Sequence, residues 1–172
     1  MDFKTLAKNR WSCRSFSDRK VEKEKLETIL EAGVLAPTAK NMQPQRILVA
    51  DSEEAIEKLK KCTPCHYNCK TALIVCYDKS DMFIRPFDSK PSGDIDASIV
   101  TTHMMLQAYE LGVCSTWVMF FKPDEVRAEF NLPKEYEPSA ILVLGYPAED
   151  AKPSDNHSAC DNRENLIFYN KF

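Results

Sequence analysis

Leu26, Ile29, Leu30 and Val34 fall on one face of a helix over about 22–35, with Lys and Glu on the opposite face. Ahead of it, Asp2 is placed to cap a short helix reaching about Asn9, and Pro37 stops the second helix. Residues 46–50 then read as a strand, and Asp51-x-x-Glu54 has the spacing of a capping box opening a charged helix to about Lys61. Ala72 to Tyr77 is an unbroken apolar run of strand length, the pattern of a central strand covered on both faces. Further strands are expected over Ser115–Phe121 and Pro138–Gly145, with a short helix opened by Pro123-Asp124 and running to about Asn131.

One segment breaks the amphipathic pattern. From Ala97 to Tyr109 there is no Asp, Glu, Lys or Arg, and Ile99, Val100, Met104, Met105, Leu106 and Ala108 spread over more than one face of the helix. Such a helix is expected to be buried all round, and in a chain of 172 residues a second copy is the natural source of part of the covering. Residues 80–93, with Pro86, Pro91 and Gly93, read as a loop. The tail from Ala148 is polar until Leu166-Ile167-Phe168-Tyr169, and is expected to wrap over a neighbour.

Composition narrows the function classes. With 44% hydrophobic residues the chain suits a single domain over 1–172. The net charge of -3, from 23 Lys and Arg against 26 Asp and Glu, and the lack of a long basic run argue against a nucleic-acid partner. No membrane span or signal-peptide pattern is present, so the expectation is a cytoplasmic protein. Seven cysteines, an odd number, fit reduced thiols better than a disulfide framework. Cys62-x-x-Cys65-x-x-x-Cys69 superficially has metal-ligand spacing, but no second paired motif supplies a fourth ligand, and small apolar side chains are the preferred reading.

The candidate chemistry lies in two short segments. Arg10-Trp11-Ser12-Cys13-Arg14 places two guanidinium groups and a hydroxyl in one stretch, a donor set suited to a phosphate ester. Pro37-Thr38-Ala39-Lys40-Asn41-Met42-Gln43-Pro44 has prolines bracketing small and amide residues, which suits a stiff loop laid against something flat. Together they suggest a phosphorylated, planar cofactor. There is no Gly-x-Gly-x-x-Gly and no Walker loop among four glycines, and none of His66, His103 and His157 sits in a nucleophile or zinc motif.

These segments resemble those of the FMN-dependent nitroreductase family, as do the stretch from Asp94 to Val118 and Leu142-Val143-Leu144-Gly145-Tyr146-Pro147. The resemblance implies an α+β sandwich, a mostly antiparallel sheet flanked by helices, in an interlocked homodimer with flavins at the interface. It implies that Arg10, Ser12, Arg14 and Arg163 hold the FMN phosphate, with Trp11 adding backbone or stacking contact. It implies further that Pro37, Thr38, Ala39 and Asn41 of a second subunit cover the ring, and that the backbone at Met119, with Phe120 beside it, faces N5. No catalytic side chain and no metal is implied: NADH or NADPH reduces the flavin, and a nitroaromatic, quinone or similar small acceptor is reduced next. Trp11, Cys114 and Met119-Phe120 depart from the family pattern and suggest a narrower, more apolar pocket. Two alternatives stay open, a non-enzymatic flavin-binding or sensor protein on the same scaffold and a thiol or metal protein centred on the cysteine cluster.

Overall fold

The apolar run at 72–77 becomes the middle of the molecule. In the computed structural model, which describes residues 1–159 and 163–172 but not the Arg163 side chain, it lies within strand β2 (Thr71–Asp78), buried along its whole length. Strands β1 (Gln45–Ala50) and β4 (Tyr136–Gly145) pair with β2 on either side, and β3 (Cys114–Val118) pairs with the far edge of β4. All three pairings are antiparallel, in the order β1-β2-β4-β3.

Alternation along the strands feeds two cores. Ala72, Ile74 and Cys76 of β2, with Ile141 and Val143 of β4, meet Ile56 and Leu59 of helix α3 (Glu53–Cys62) and Val126 of helix α5 (Pro123–Glu129). Leu73 and Val75, with Leu142 and Leu144, meet Leu26 and Ile29 of helix α2 (Lys23–Val34) and Val100 and Met104 of helix α4 (Gly93–Glu110). The result is a helix–sheet–helix sandwich in which each fully buried Leu or Ile contributes about 1.5–3 kcal/mol of transfer free energy. Close packing sets the start of α4: a Cβ on Gly93 would lie 2.3 Å from the Tyr77 ring. At its other end Gly112, with φ 75°, turns the chain into β3.

Helix α1 (Phe3–Asn9) starts where expected, with the Asp2 carboxylate accepting the Thr5 N–H at 3.1 Å. Two expectations are corrected. The cap of α3 is Ser52, whose hydroxyl accepts the Ala55 N–H at 3.1 Å, because the helix begins one residue later than the Asp51-x-x-Glu54 spacing suggests. Strand β3 ends at Val118, not at Phe121. Helix α4 is not covered all round within one chain. Ala97, Val100, Met104 and Ala108 face the sheet, whereas Ile95 is 50% exposed and His103 is exposed. The 80–93 segment is more ordered than a plain loop, since Ile84 bridges Pro91 in an antiparallel turn.

Candidate functional site

The arginine segment runs along the outer edge of β3. Ser12 bridges Ser115 in the parallel sense, the Cys13 N–H donates to the Ser115 carbonyl at 3.0 Å, and the Thr116 hydroxyl donates to the Cys13 carbonyl. Beyond it, the Phe16 N–H reaches the Tyr67 carbonyl at 3.2 Å and the Ala148 N–H reaches the Ser15 carbonyl at 3.0 Å, so the segment is held on both sides. Trp11 packs against the core on the α3 side, which gives it a structural task. Arg10 is half-buried and Arg14 exposed, and neither is ion-paired among the described residues. The Arg14 guanidinium makes a long hydrogen bond, 3.4 Å, to the Ser12 carbonyl and stands beside the Tyr67 hydroxyl. Two fixed positive charges therefore stand on one sheet edge with donors to spare.

At the end of β3 the chain leaves the sheet. The Phe120 carbonyl accepts the Thr63 hydroxyl at 2.6 Å and the Lys122 N–H donates to the Cys62 carbonyl at 2.9 Å, which draws the backbone toward the C-terminus of α3. Met119 and Phe120 are left 68% and 73% exposed, and among the described residues neither of their N–H groups donates a hydrogen bond. Two residues upstream, the buried indole N–H of Trp117 has no acceptor among the described residues.

The proline-bracketed segment forms a tight loop with three non-glycine residues in the left-handed region: Lys40, Asn41 and Gln43, at φ 52°, 55° and 50°. Thr38 closes it, its carbonyl accepting the Asn41 N–H at 2.9 Å and its hydroxyl accepting the Gln43 N–H at 3.0 Å. Asp96, in the first turn of α4, ties the loop down. One carboxylate oxygen accepts the Ala39 N–H at 2.9 Å and the other accepts the Ser92 hydroxyl at 2.6 Å, and the residue is 1% exposed. Sequence reasoning did not single out Asp96 or Thr63 as site residues. An acidic residue directly ahead of the uncharged stretch from Ala97 to Tyr109 was the available signal for the first.

The structure brings Arg10, Ser12, Arg14, Met119 and Phe120 to the β3 edge of the molecule. Pro37, Thr38, Ala39 and Asn41 are not with them: Ala39 hangs on the first turn of α4, whereas Ser12 and Cys13 pair with Ser115 just beyond its last turn. About 20 Å of helix rise separates those two ends. Between them the outward face of α4 carries Ile95, Ile99, Thr102 and His103 around an open apolar hollow of about 480 Å³. The Arg163 side chain lies outside the described residues, although the short helix α6 (Arg163–Leu166) begins there.

The cysteine cluster is core. Cys62 and Cys69 are buried, and desolvation pushes their thiols up to about 11 and about 12. The Cys62 thiol donates to the Lys58 carbonyl at 3.3 Å. Among the described residues no group of three His, Cys, Asp or Glu side chains is disposed to hold a metal ion. Cys13 and Cys114 lie thiol to thiol behind the arginine segment, the contact lowering Cys13 and raising Cys114. Also among the described residues, no helix is long and apolar enough to cross a membrane.

Comparison with known proteins gives a consistent result. A model of the nitroreductase family matches residues 7–65 and 71–146. A Methanothermobacter thermautotrophicus protein described as an NADH dehydrogenase/NAD(P)H nitroreductase is 30% identical over 162 residues, covering 90% of this chain and 82% of that protein. Among solved structures, a nitroreductase family protein of Clostridium difficile 630 superposes with a TM-score of 0.94 at 46% identity, covering 100% of both chains. An FMN-dependent nitroreductase of Clostridium difficile R20291 superposes with a TM-score of 0.80 at 29% identity, covering 99% of this chain and 100% of the other.

Proposed function

The chain belongs to the nitroreductase family, and from that premise we propose that it is an FMN-dependent oxidoreductase that takes reducing equivalents from NADH or NADPH and passes them to a nitroaromatic, quinone or similar small acceptor. The observation that carries the reading is the pair of guanidinium groups, Arg10 and Arg14, without a carboxylate partner among the described residues, on the same sheet edge as the Met119 and Phe120 N–H groups, which donate no hydrogen bond among those residues. That donor set fits FMN, with cationic forks for a phosphate, backbone donors for ring heteroatoms and two exposed apolar side chains beside them. When bound, FMN supplies reversible hydride transfer at its ring.

The protein's part is to bind, orient and exclude water. Arg10, Ser12 and Arg14 hold the phosphate, joined by Arg163; Met119 and Phe120 present backbone N–H groups to the ring edge. Pro37, Thr38, Ala39 and Asn41 cover the ring from a second copy of the chain, because within one chain they hang at the other end of α4. A homodimer through the outward face of α4 supplies that copy and covers Ile95 and Ile99. Reductant and acceptor occupy the same space in turn, a ping-pong order, and no side chain acts as acid or base. The protein works as one domain over 1–172 in the cytoplasm, with no nucleic-acid or membrane partner.

The test is the visible spectrum of the purified protein followed by anaerobic titration with NADH and NADPH. Oxidised-flavin bands that bleach with about one equivalent of reductant support the proposal. Flavin that stays oxidised points to a binding or sensor role, and a protein that takes up no FMN overturns the reading.

A further inference from the structure

Thr63 stands at the end of α3 with its backbone and side chain both committed. Its N–H donates to the Leu59 carbonyl at 3.1 Å as the C-cap of the helix, and the residue is 1% exposed. Its hydroxyl accepts the Cys65 N–H at 3.0 Å and donates to the Phe120 carbonyl at 2.6 Å. A hydroxyl has one proton to give, and here the end of a packed helix delivers it to Phe120.

What this hold does to the backbone at Phe120 follows from the strand before it. The Ser115 carbonyl accepts the Cys13 N–H, so Ser115 turns its backbone groups to the outer edge of β3, and by alternation Trp117 and Met119 do the same. Thr116 and Val118 face β4, and an unbroken strand would send the Phe120 N–H that way too. Instead the Phe121 N–H donates back to the Met119 carbonyl at 3.1 Å, closing a three-residue turn about Phe120. The carbonyl and N–H of a trans peptide point in opposite directions, so drawing the Met119 carbonyl inward turns the Phe120 N–H outward. Two anchors keep the turn closed. The Phe121 side chain packs against the core shared by α3 and α5, and the Thr63 hydroxyl holds the carbonyl of the same peptide that supplies the Phe121 N–H.

We propose that Thr63 is a positioning residue for the cofactor: its hydroxyl keeps the Phe120 N–H turned out of the sheet, where it donates to the ring edge of FMN. The inference rests on the flavin reading above. It gives a task to a buried residue outside both the arginine and the proline segments.

The experiment compares the wild-type chain with Thr63→Val, which keeps the shape of the side chain and removes the hydroxyl, and with Thr63→Ser, which retains the hydroxyl. FMN affinity is read by flavin fluorescence, and amide exchange at the phenylalanines by nuclear magnetic resonance with and without FMN. In the wild type, exchange at Phe120 should slow by about tenfold or more when FMN is added. In Thr63→Val that slowing should vanish and the Kd for FMN should rise by about fivefold, the loss of one hydrogen bond to the ligand. Thr63→Ser should return both to within about twofold of wild type. A purely structural role would lower stability yet leave the Phe120 amide responding to FMN. If Thr63→Val does not fold, Thr63→Ala is read in its place. A hydroxyl-free variant that binds FMN within about twofold of wild type, a wild-type Phe120 amide that FMN leaves unprotected, or a serine that fails to rescue overturns the proposal. If the wild-type chain holds FMN and is bleached by NADH or NADPH, any of these results sinks this inference alone; if it takes up no FMN, both readings fall.

Discussion

Replacing Asp96 with Ala should release the Thr38–Gln43 loop without unfolding the molecule. The carboxylate accepts two hydrogen bonds, from the Ala39 N–H and the Ser92 hydroxyl. Bonds to a charged acceptor contribute about 1.5–3 kcal/mol each, but Ala39 is partly exposed and its N–H regains water when freed, so the net loss is about 2–3 kcal/mol. Against that stands the backbone cost of three left-handed residues, Lys40, Asn41 and Gln43, at about 1 kcal/mol each and less for Asn. The bonds that remain, to the Thr38 carbonyl and hydroxyl and to the Ala39 carbonyl, contribute about 1 kcal/mol apiece. Strain and residual bonding then nearly cancel, and the open loop becomes a well-populated state.

The assay is residue-resolved amide exchange, with urea denaturation alongside it. Protection at Ala39, Asn41 and Gln43 should drop by about 30- to 150-fold, which is the same 2–3 kcal/mol, while amides of β2 and β4 lose only what the global stability loses. Asp96→Asn retains an acceptor for Ala39 and an amide facing Ser92, and should cost about 1 kcal/mol or less. Loop protection in Asp96→Ala within about threefold of wild type, with the protein folded, would refute the account of what holds the loop.

Three further outcomes follow from other parts of the molecule. Arg14→Ala and Arg10→Ala should each weaken FMN by about tenfold in a flavin-fluorescence titration, because each removes a charge-assisted donor near water; unchanged affinity in both would remove the phosphate assignment. Ile74→Ala, in the fully buried centre of β2, should lower unfolding free energy in urea by about 3–4 kcal/mol, and a loss under 1 kcal/mol would mean the site collapses freely. The Tyr146 hydroxyl, and after it Arg19, hold the Glu22 carboxyl down to about 2 from an ordinary 4.5. Its folded value lies below its unfolded one, so its stabilisation is complete above about pH 4.5 and fades as the pH falls toward 2. Stability measured over that window should fall more steeply in the wild type than in Glu22→Gln, and equal slopes would contradict the pairing.

Much of the fold was legible because periodicity and burial agree locally. The run at 72–77 had no polar face to expose and became the strand covered on both sides; the Leu26, Ile29 stripe became the inner face of α2. Helix α4 was legible only in part. The sequence shows a helix without charges but not where its covering comes from, and within one chain the covering extends only over the face of Ala97, Val100, Met104 and Ala108. The arginine motif was visible as chemistry, yet its placement depends on Ser12 pairing with Ser115, a contact across about a hundred residues that no local pattern encodes. Asp96 was similarly hidden: its partners, Ala39 and Ser92, come from two different loops.

The overextended β3 shows where sequence reasoning fails because distant tethers override the local pattern. Trp117, Val118, Met119, Phe120 and Phe121 form an unbroken apolar run, and hydrophobic pattern alone continues the strand through all five. The backbone instead departs after Val118, because the Thr63 hydroxyl captures the Phe120 carbonyl and the Cys62 carbonyl captures the Lys122 N–H. Continuing the strand would have consumed one of the Met119 and Phe120 N–H groups in a ladder bond to β4, since successive N–H groups of a strand point to opposite sides. Ending it early leaves them free and two large apolar side chains in water, an arrangement that costs stability unless something else occupies the place. A local rule broken by specific tethers, at the same edge that collects two arginines without an ion pair among the described residues, is the signature expected of a binding site. On the proposed flavin reading, the pair Met119-Phe120, an apparent continuation of the core by its composition, is a surface kept ready for a planar ligand.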